Sequence, residues 1–319
     1  MPELPEVETI AAGVHARVHG ARITRVWTSG KPQTFKSPEP EIAATLTGAR
    51  IESVRRVGKT IVMTVQRSNR RAATEPGTPS FPALSERVGS NKTSVELLIH
   101  LGMTGRLLVS APEIPLAPHT HAILTLSGAP RETAAPQKID ALRETPAREI
   151  RFVDPRRFGR ISLHAPQPIT GNQQPPTYTG PGSEPLTISL ADFVALFHPR
   201  RTPIKAALLN QSLLHGIGNI YADESLFRAA IRPNRQAARL TRAELARLRT
   251  ALVEVLRHAI RLGGSSVSDY VDAEGSRGFF QLQHRVYRRT GQPCLVCATP
   301  IRRITLAGRG THFCPHCQR

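Results

Sequence analysis

The feature that most constrains the fold is an abrupt change in hydrophobic pattern along the chain. Between residues 22 and 164, β-branched and apolar residues form short runs separated by glycine, proline and polar turns. From about residue 189, apolar residues recur at helical spacing. Short bounded runs are typical of an antiparallel sandwich or barrel, whereas helical spacing predicts amphipathic helices. With 319 residues, the chain is long enough for two domains of ordinary size.

The first half of the chain predicts strands that follow one amphipathic helix. The strand-like runs are RITRVWT, ARIESVRRV, TIVMTVQ, SVELLIHLG, GRLLVS, HAILTLS, EIRFVD and GRISLH. The helix has apolar residues at Val7, Ile10, Val14 and Val18. Gly20 is its stop signal. We therefore predict an α+β multidomain chain in which residues 1–164 form an antiparallel β-sandwich with a long N-terminal helix.

Three segments interrupt these patterns and suggest the domain boundaries. Residues 67–93 and 129–147 are rich in Pro, Thr, Ser, Ala and charge, and we expect disordered surface insertions there. Residues 165–188 are similarly polar and are expected to be the interdomain linker. The remainder divides into a helical region, 189–282, and a cysteine-containing module, 283–319.

The helical region contains a glycine-broken pair of helices. The predicted helices are LADFVALF, IKAALLNQSLL, IYADESLFRAA and TRAELARLRTALVEVLRHAIRL, and HGIGN is the turn between the second and third. The last helix opens with Thr241 and Glu244 in capping-box register and closes at Gly263 and Gly264. Asn219 stands where the third helix begins, and backbone N–H groups at a helix N-terminus form an anion site. The alternative is a plain helical hairpin with Asn219 as its cap. Nearby Arg200, Arg201 and Lys205 favour nucleic acid.

All four cysteines of the chain lie in one motif, C-x2-C-x16-C-x2-C, formed by Cys294, Cys297, Cys314 and Cys317. Each pair can chelate from one tight turn, and four thiolates complete a closed tetrahedral zinc site. A closed site is structural because it leaves no position for water or substrate. The alternatives are metal-free or redox-active dithiols, or His316 as a competing ligand. We expect one structural zinc ion per monomer.

The charge balance indicates the class of partner. Lys and Arg number 43 against 24 Asp and Glu, which gives a formal net charge of +19. Such an excess favours a polyanion, although a merely soluble basic protein or an arginine-rich proteome would also show it. No apolar run is long enough for a membrane span, and MPELPEVETI lacks the features of a signal peptide. We therefore expect a cytoplasmic protein without membrane contact.

The N-terminus combines a candidate nucleophile with two acids. Removal of Met1 would leave Pro2 with a free secondary amine, partly unprotonated at neutral pH. Such an amine can attack the anomeric carbon of a deoxyribose and form an iminium ion. Glu3 could then act as a general acid, and Glu6 lies one helical turn further on. Spacing alone equally fits ordinary helix entry, with a proline in the first turn and acids near the positive end of the helix dipole.

Five motifs together resemble one family. They are PELPEVET, IHLGMTGRL, DPRRFGR, GIGNIYADE and RGTHFCPHCQR. In this order they resemble formamidopyrimidine-DNA glycosylase, which is also a DNA-(apurinic or apyrimidinic site) lyase. The resemblance covers the whole chain apart from the two insertions and the linker. It implies a β-sandwich domain, a helix–two-turn–helix domain with a zinc finger, and double-stranded DNA in the basic cleft between them.

The resemblance also implies residue roles. Pro2 matches the Schiff-base nucleophile, Glu3 the general acid, Lys59 the lysine of β-elimination and Arg309 the proton donor of δ-elimination. Residues matching DNA contacts are His119, Arg156, Arg200, His100, Lys205 and Asn219. Met103, Arg156 and Phe158 match the residues that fill the space left by a flipped nucleotide. Without the resemblance, Met103 and Phe158 would be read as core residues.

The expected activity is base excision repair of 8-oxoguanine, formamidopyrimidines and abasic sites by a nucleoid-associated monomer. Thr60 departs from the family pattern, since many relatives carry an aromatic residue there, and the position of Arg200 is often lysine. One rival is an endonuclease VIII-like enzyme for oxidised pyrimidines, whose relatives usually begin PEGPE rather than PELPE. The other is a non-catalytic zinc-finger DNA-binding protein, which would need neither Met1 removal nor Glu3 beside Pro2.

Overall fold

The computed structural model describes residues 1–67, 93–127, 148–164, 177–266 and 270–319. Apart from its end residues Arg67 and Thr93, the predicted insertion at 67–93 lies outside the described residues, and so does all of the predicted insertion at 129–147. The first part of the predicted linker does so as well. The expected disorder of these segments therefore stays a prediction.

The N-terminal half folds into the eight predicted strands. They are β1 Arg22–Thr28, β2 Arg50–Val57, β3 Thr60–Arg67, β4 Thr93–His100, β5 Arg106–Ser110, β6 Thr120–Ser127, β7 Arg148–Val153 and β8 Arg160–His164. The strand order is β5-β7-β6-β1-β2-β3-β4-β8, and every pairing is antiparallel. Because β1 and β2 share a single register pair, Arg22 with Arg50, the strands form two four-stranded halves.

The two halves face each other across one apolar core, as in a sandwich. Leu97 and Ile99 of β4 face Leu124 of β6 and Phe152 of β7 around the same narrow apolar space. Their side chains are at most 5% exposed. The predicted β-sandwich is confirmed, and alternation of apolar and polar residues along the strands explains its buried inner face.

Helix α1, Leu4–Val18, joins this core to a second one. Val7, Ile10, Val14 and Val18 are at most 1% exposed and pack in the core of the sandwich. Leu4 instead packs in the core of the helical domain, and its N–H donates to the carbonyl of Gly216 at 3.0 Å. The start of α1 is therefore held at the junction of the two domains.

The remaining helices belong mainly to the C-terminal domain. They are α2 Glu39–Leu46, which lies in the sandwich and was not predicted, α3 Leu190–Phe197, α4 Ile204–Leu208, α5 Asn219–Arg228 and α6 Arg242–Arg261. Helix α6 begins with the predicted capping box of Thr241 and Glu244. It ends before Gly263 and Gly264, which have positive φ angles of 71° and 80°. Within the described part of the chain, no helix combines the length and apolarity that crossing a bilayer requires.

The predicted second helix of this domain is shorter than expected. IKAALLNQSLL was predicted as one helix, but α4 ends at Leu208. The side-chain oxygen of Asn210 accepts from the N–H of Ser212 at 2.9 Å, and its carbonyl accepts from the N–H of Leu213. Asparagine thereby stabilises a turn in place of the next helical turn. Residues 209–214 are a folded loop that leads into the glycine turn.

The chain ends in a two-stranded hairpin, β9 Arg302–Leu306 and β10 Arg309–Phe313. Its turn, Ala307–Gly308, has positive φ angles of 46° and 72°, as a tight hairpin requires. Arg309 begins β10 and is exposed beside this turn.

Candidate active site

A cavity of about 440 Å³ lies where α1, the β2–β3 turn, the start of α5 and the terminal hairpin meet. All four predicted catalytic residues line it: Pro2, Glu3, Lys59 and Arg309. Met1, Glu6, Met103 and Asn219 also line it. These residues are far apart in sequence, and the fold brings them to one place.

Glu3 is buried at the N-terminus of α5. It is 4% exposed, and its carboxylate accepts from the backbone N–H groups of Ile220 at 3.1 Å and Tyr221 at 3.4 Å. A side chain at Gly218 would place its Cβ 2.2 Å from Cδ of Glu3, so only glycine permits this approach. The anion site predicted at this helix terminus is thus partly filled by the protein's own carboxylate.

Burial makes Glu3 a weak acid suited to proton donation near neutral pH. Desolvation is the largest effect and raises the pKa of Glu3 to about 7. The nearby charge of Glu6 also raises it, whereas Lys59 and the two backbone N–H groups lower it. A carboxyl group with this pKa is partly protonated at neutral pH, which suits a general acid.

Glu6 is a second buried acid directly behind Glu3. Its carboxylate accepts from the N–H of Glu3 at 2.8 Å, from the hydroxyl of Tyr221 and from the N–H of Ser265 at 2.7 Å. Burial raises the pKa of Glu6, and these hydrogen bonds oppose the increase. Glu6 therefore fixes the backbone on which Glu3 stands and connects it to the helical domain.

Pro2 is buried at the entry to α1, and its nitrogen is joined to Met1 in a peptide bond. Met1 is 49% exposed and lines the cavity, so the bond between them lies at the cavity wall. An amide nitrogen is not a nucleophile, whereas the free secondary amine of a processed chain would be one. The predicted role of Pro2 therefore depends on Met1 removal.

Lys59 reaches the cavity from the two-residue turn between β2 and β3. Gly58 precedes it with a φ of 60°, and a Cβ there would lie 3.0 Å from Cβ of His215. Burial lowers the pKa of Lys59; the charges of Glu3 and Glu6 raise it, and that of Arg309 lowers it further. A lowered pKa increases the fraction of neutral amine available as a base.

The terminal hairpin is fixed to the cavity through the carbonyl of Gly310. This oxygen accepts from Nδ2 of Asn219 at 2.9 Å and from Nζ of Lys205 at 3.0 Å. The neighbouring Arg309 is thereby held at the rim. Asn219 lines the cavity but spends one amide proton on this contact, and its contact with DNA stays a prediction.

Lys205 is buried rather than exposed, so its ammonium is paired within the protein, and its predicted phosphate contact stays a prediction. The side chain is fully buried, and its Nζ pairs with Asp223 at 2.7 Å and donates to Oγ1 of Thr311 at 2.9 Å. Asp223 also accepts from the N–H of His312 at 2.9 Å. Lys205 therefore joins α4 and α5 to the hairpin. Sequence alone did not separate this lysine from the exposed Arg200 and Arg201.

The three predicted space-filling residues are exposed together. Met103 is 41% exposed and Phe158 is 51% exposed, so neither is a core residue. The guanidinium of Arg156 lies 4.9 Å from the centre of the Phe158 ring. Exposed apolar side chains beside a cationic one suit insertion into a base stack.

The other predicted DNA contacts occupy different surroundings. His119 and Arg200 are exposed, whereas His100 is partly buried. His100 lines a neighbouring groove with Phe158 and Arg160. Burial, Lys59 and Arg160 lower its pKa. Their contacts with nucleic acid stay predictions.

The four cysteines form a site that fits zinc. Their Sγ atoms all lie within 4.8 Å of one another, with Cys294–Cys317, Cys297–Cys314 and Cys297–Cys317 separations of 3.9, 3.5 and 3.3 Å. Zinc–sulfur bonds of about 2.3 Å in a tetrahedron place sulfurs roughly 3.8 Å apart. Among the described residues this is the only such cluster, and His316 is not part of it.

Comparison with known proteins covers nearly all of the chain. Residues 1–161 match the formamidopyrimidine-DNA glycosylase N-terminal domain, 180–271 its H2TH domain, and 291–319 a zinc finger found in FPG and IleRS. The chain is 40% identical over 326 residues to a formamidopyrimidine-DNA glycosylase of Solibacter usitatus and 38% identical over 323 residues to one of Thiobacillus denitrificans. Each alignment covers 100% of both chains.

Solved structures show the same similarity. MutM (Fpg) from Thermus thermophilus has a TM-score of 0.72 at 37% identity, covering 99% of this chain and 98% of that one. A single-site mutant of Lactococcus lactis FPG, in complex with DNA containing Fapy-dG, has a TM-score of 0.76 at 27% identity with complete coverage of both chains. Wild-type Lactococcus lactis Fpg in complex with DNA containing an oxidised pyrimidine has a TM-score of 0.74 at the same identity and coverage.

Proposed function

Because the chain belongs to the formamidopyrimidine-DNA glycosylase family, we propose that it excises 8-oxoguanine and formamidopyrimidines through a covalent link to Pro2. The chain is a DNA glycosylase of base excision repair, and lyase activity at abasic sites is characteristic of its family. Its partner is DNA and its cysteine module holds one structural zinc ion. The lesion preference and the residue roles below are the proposal.

The observation that carries the proposal is the convergence of three groups at one cavity. Pro2 supplies the amine after processing, Glu3 has a pKa of about 7, and Lys59 has a lowered pKa. A nucleophile, an acid and a base placed together by remote parts of the chain are the minimum set for base excision with strand cleavage.

The proposed first step is base release. The Pro2 nitrogen attacks C1′ of the flipped nucleotide while Glu3 gives its proton to the sugar ring oxygen or the departing base. The bond between C1′ and the base breaks and its electron pair leaves with the base. The bond between C1′ and the ring oxygen then breaks, and an iminium ion joins Pro2 to the opened sugar. Of the two leaving groups, the one that Glu3 does not protonate takes up the proton lost from the Pro2 nitrogen. The cavity at the junction of both domains has room for a flipped nucleotide.

Strand cleavage follows from the acidity of C2′ beside the iminium. Lys59 in its neutral form accepts the C2′ proton, and the bond from C3′ to the phosphate oxygen breaks by β-elimination. A second elimination releases the phosphate at C5′, with Arg309 as the proposed proton donor at the cavity rim. Water then hydrolyses the imine and restores the Pro2 amine.

The two domains have distinct proposed tasks. Residues 1–164 carry the catalytic N-terminus and the space-filling loops, residues 165–188 link the domains, and residues 189–282 and 283–319 bind the phosphate backbone. A monomer suffices, since every proposed catalytic residue comes from one chain. We expect it to work in the cytoplasm on nucleoid DNA.

Oxidised pyrimidines are the second candidate substrates, because a related protein is known in complex with DNA containing one. Single-turnover excision from matched duplexes with 8-oxoguanine or thymine glycol separates the two. We expect faster release of 8-oxoguanine, and Glu3→Gln should slow release of either base. Faster release of thymine glycol would contradict the proposed preference, and no release of either base would contradict catalysis.

A further inference from the structure

Asp154 joins the two loops that carry the space-filling residues. It follows β7 in the DPRRFG segment and is fully buried. Its Oδ1 accepts from the hydroxyl of Thr104 at 2.6 Å and from the N–H of Arg156 at 3.2 Å. Its Oδ2 accepts from the N–H of Gly159 at 2.7 Å. One buried carboxylate therefore ties the residue after Met103 to both ends of the Arg156–Phe158 turn.

The same two loops are in direct backbone contact. A Cβ at Gly102 would lie 2.5 Å from the carbonyl carbon of Phe158. A Cβ at Gly159 would lie 3.1 Å from both Oδ2 of Asp154 and the carbonyl oxygen of His100. Glycine at these positions lets the loops touch where any side chain would separate them. The loops consequently form one packed unit.

A third loop, which carries His119, is attached through the backbone of Asp154. Its N–H donates to the carbonyl of His119 at 3.0 Å, and its own carbonyl lies 3.0 Å from Nε2 of His121. His119 and Arg157 both have positive φ angles, 65° and 56°. Non-glycine residues hold this conformation only where surrounding contacts impose it, and Asp154 lies between these two.

We infer that Asp154 is a positioning residue that holds Met103, Arg156 and Phe158 as one preformed unit for insertion into the DNA duplex. The inference rests on the proposed function. The three side chains are exposed, so their placement depends on the backbone of their loops rather than on core packing. A preformed unit fills the space left by the lesion without first ordering two loops.

Asp154→Asn tests this inference with almost no change in shape. The amide offers one acceptor oxygen where the carboxylate offers two, so it sets an NH2 group against the N–H of either Gly159 or Arg156. Thr104→Val removes one donor and is the milder variant. Thr104→Ser keeps the hydroxyl and should restore the rate. Asp192→Asn, at the exposed start of α3, is the matched control for the chemical change.

The readout is single-turnover excision of 8-oxoguanine from two duplexes. In one the lesion faces cytosine, and in the other it faces a tetrahydrofuran residue that offers no base to be held. We expect Asp154→Asn to lower the excision rate about 10- to 100-fold on the first duplex and clearly less on the second. The reason is that a buried donor left unpaired displaces the loops that carry Met103, Arg156 and Phe158. Thr104→Val should lower the rate less, but again more on the first duplex than on the second.

Several outcomes would overturn the inference. One is an equal loss on both duplexes, which marks Asp154 as merely structural. Another is wild-type excision by Asp154→Asn on both duplexes. If Asp154→Asn does not fold, Thr104→Val decides: an equal effect of this variant on the rates with both duplexes would also contradict the inference. Failure of the wild-type protein to excise from either duplex would instead contradict the proposed function, so the two failures are distinguishable.

Discussion

Glu3 combines two tasks that set opposite demands on one carboxyl group. As the partner of two N–H groups at the start of α5, it is best ionised. As a proton donor it must be protonated, and burial shifts it in that direction. The pKa of about 7 is the balance of these effects, in which desolvation and the charge of Glu6 together outweigh the hydrogen bonds and the charge of Lys59.

The rate of base release should follow the protonation of Glu3. A general acid acts in its protonated form and an amine nucleophile in its unprotonated form. The excision rate should therefore rise with pH as the Pro2 amine loses its proton, and this rise should stop above about 7, where Glu3 loses its own. Single-turnover rates of base release, measured from pH 5.5 to 8.5, check this. The Glu3→Gln variant should release the base about 100-fold or more slowly, and its rate should no longer depend on the protonation of residue 3. A wild-type rate that is level across this range would contradict the assignment.

Glu3 should also cost stability at neutral pH. Its folded pKa is raised, so the folded state binds more protons than the unfolded state between pH 4.5 and about 7. The free energy of unfolding therefore falls as pH rises through this window. Above the window the loss reaches about 3 kcal/mol. Glu3→Gln removes the effect, so its Tm relative to the wild-type protein should be higher at pH 8 than at pH 5. An equal difference at both pH values would contradict this.

Among single residues, chemical type was predictable from the sequence but burial was less so. Met103 and Phe158 have apolar side chains typical of a protein core, yet both are exposed near Arg156 in the structure. Lys205 has a cationic side chain typical of a phosphate-binding surface, yet it is buried and paired with Asp223. Burial depends on which elements pack together, and a motif does not report that.

At the scale of elements, the contact of α4 and α5 with the terminal hairpin determines where Arg309 lies. Lys205→Met should leave the carboxylate of Asp223 buried without its cation and lower the free energy of unfolding by about 3 kcal/mol. Thermal unfolding measures the loss. The salt dependence of DNA binding should keep its slope, whereas loss of a phosphate contact would reduce it by about 1 and leave Tm nearly unchanged.

Element boundaries were predictable where local signals are strong. All eight strand-like runs form strands, because each is a short run of β-branched and apolar residues bounded by turn residues. Helix α6 begins and ends at its predicted caps. Helix α4 was overpredicted because the turn at Asn210 depends on a side-chain contact within an apolar pattern. Helix α2 was missed, since only Ile42 and Leu46 of its eight residues are buried.

At the scale of the whole molecule, the site belongs to neither domain alone. Leu4 packs in the helical core while the rest of α1 packs in the sandwich, and Glu3 and Glu6 hydrogen-bond to the helical domain. Family resemblance predicted the catalytic residues, but the contacts across the domain junction came only from the structure. The cavity consequently depends on both domains being folded and joined.

The net charge of +19 predicts strongly salt-dependent DNA binding. If four or more phosphates are neutralised, the slope of log K against log salt should be about −4 or steeper. Fluorescence anisotropy between 50 and 300 mM salt measures it. Arg200→Gln should reduce the slope by about 1, and Asp192→Asn should leave it unchanged. A wild-type slope near zero would contradict the assignment of a phosphate-binding cleft.

Covalent capture of the protein on DNA tests the role of Pro2 most directly. Protein whose mass confirms loss of Met1 is mixed with an 8-oxoguanine duplex and sodium borohydride, which reduces an iminium to a stable amine. We predict a trapped complex whose peptide map places the DNA on Pro2, and none from a chain with an extra residue before Pro2. No adduct from the processed protein, or an adduct on Lys59 alone, would contradict the account.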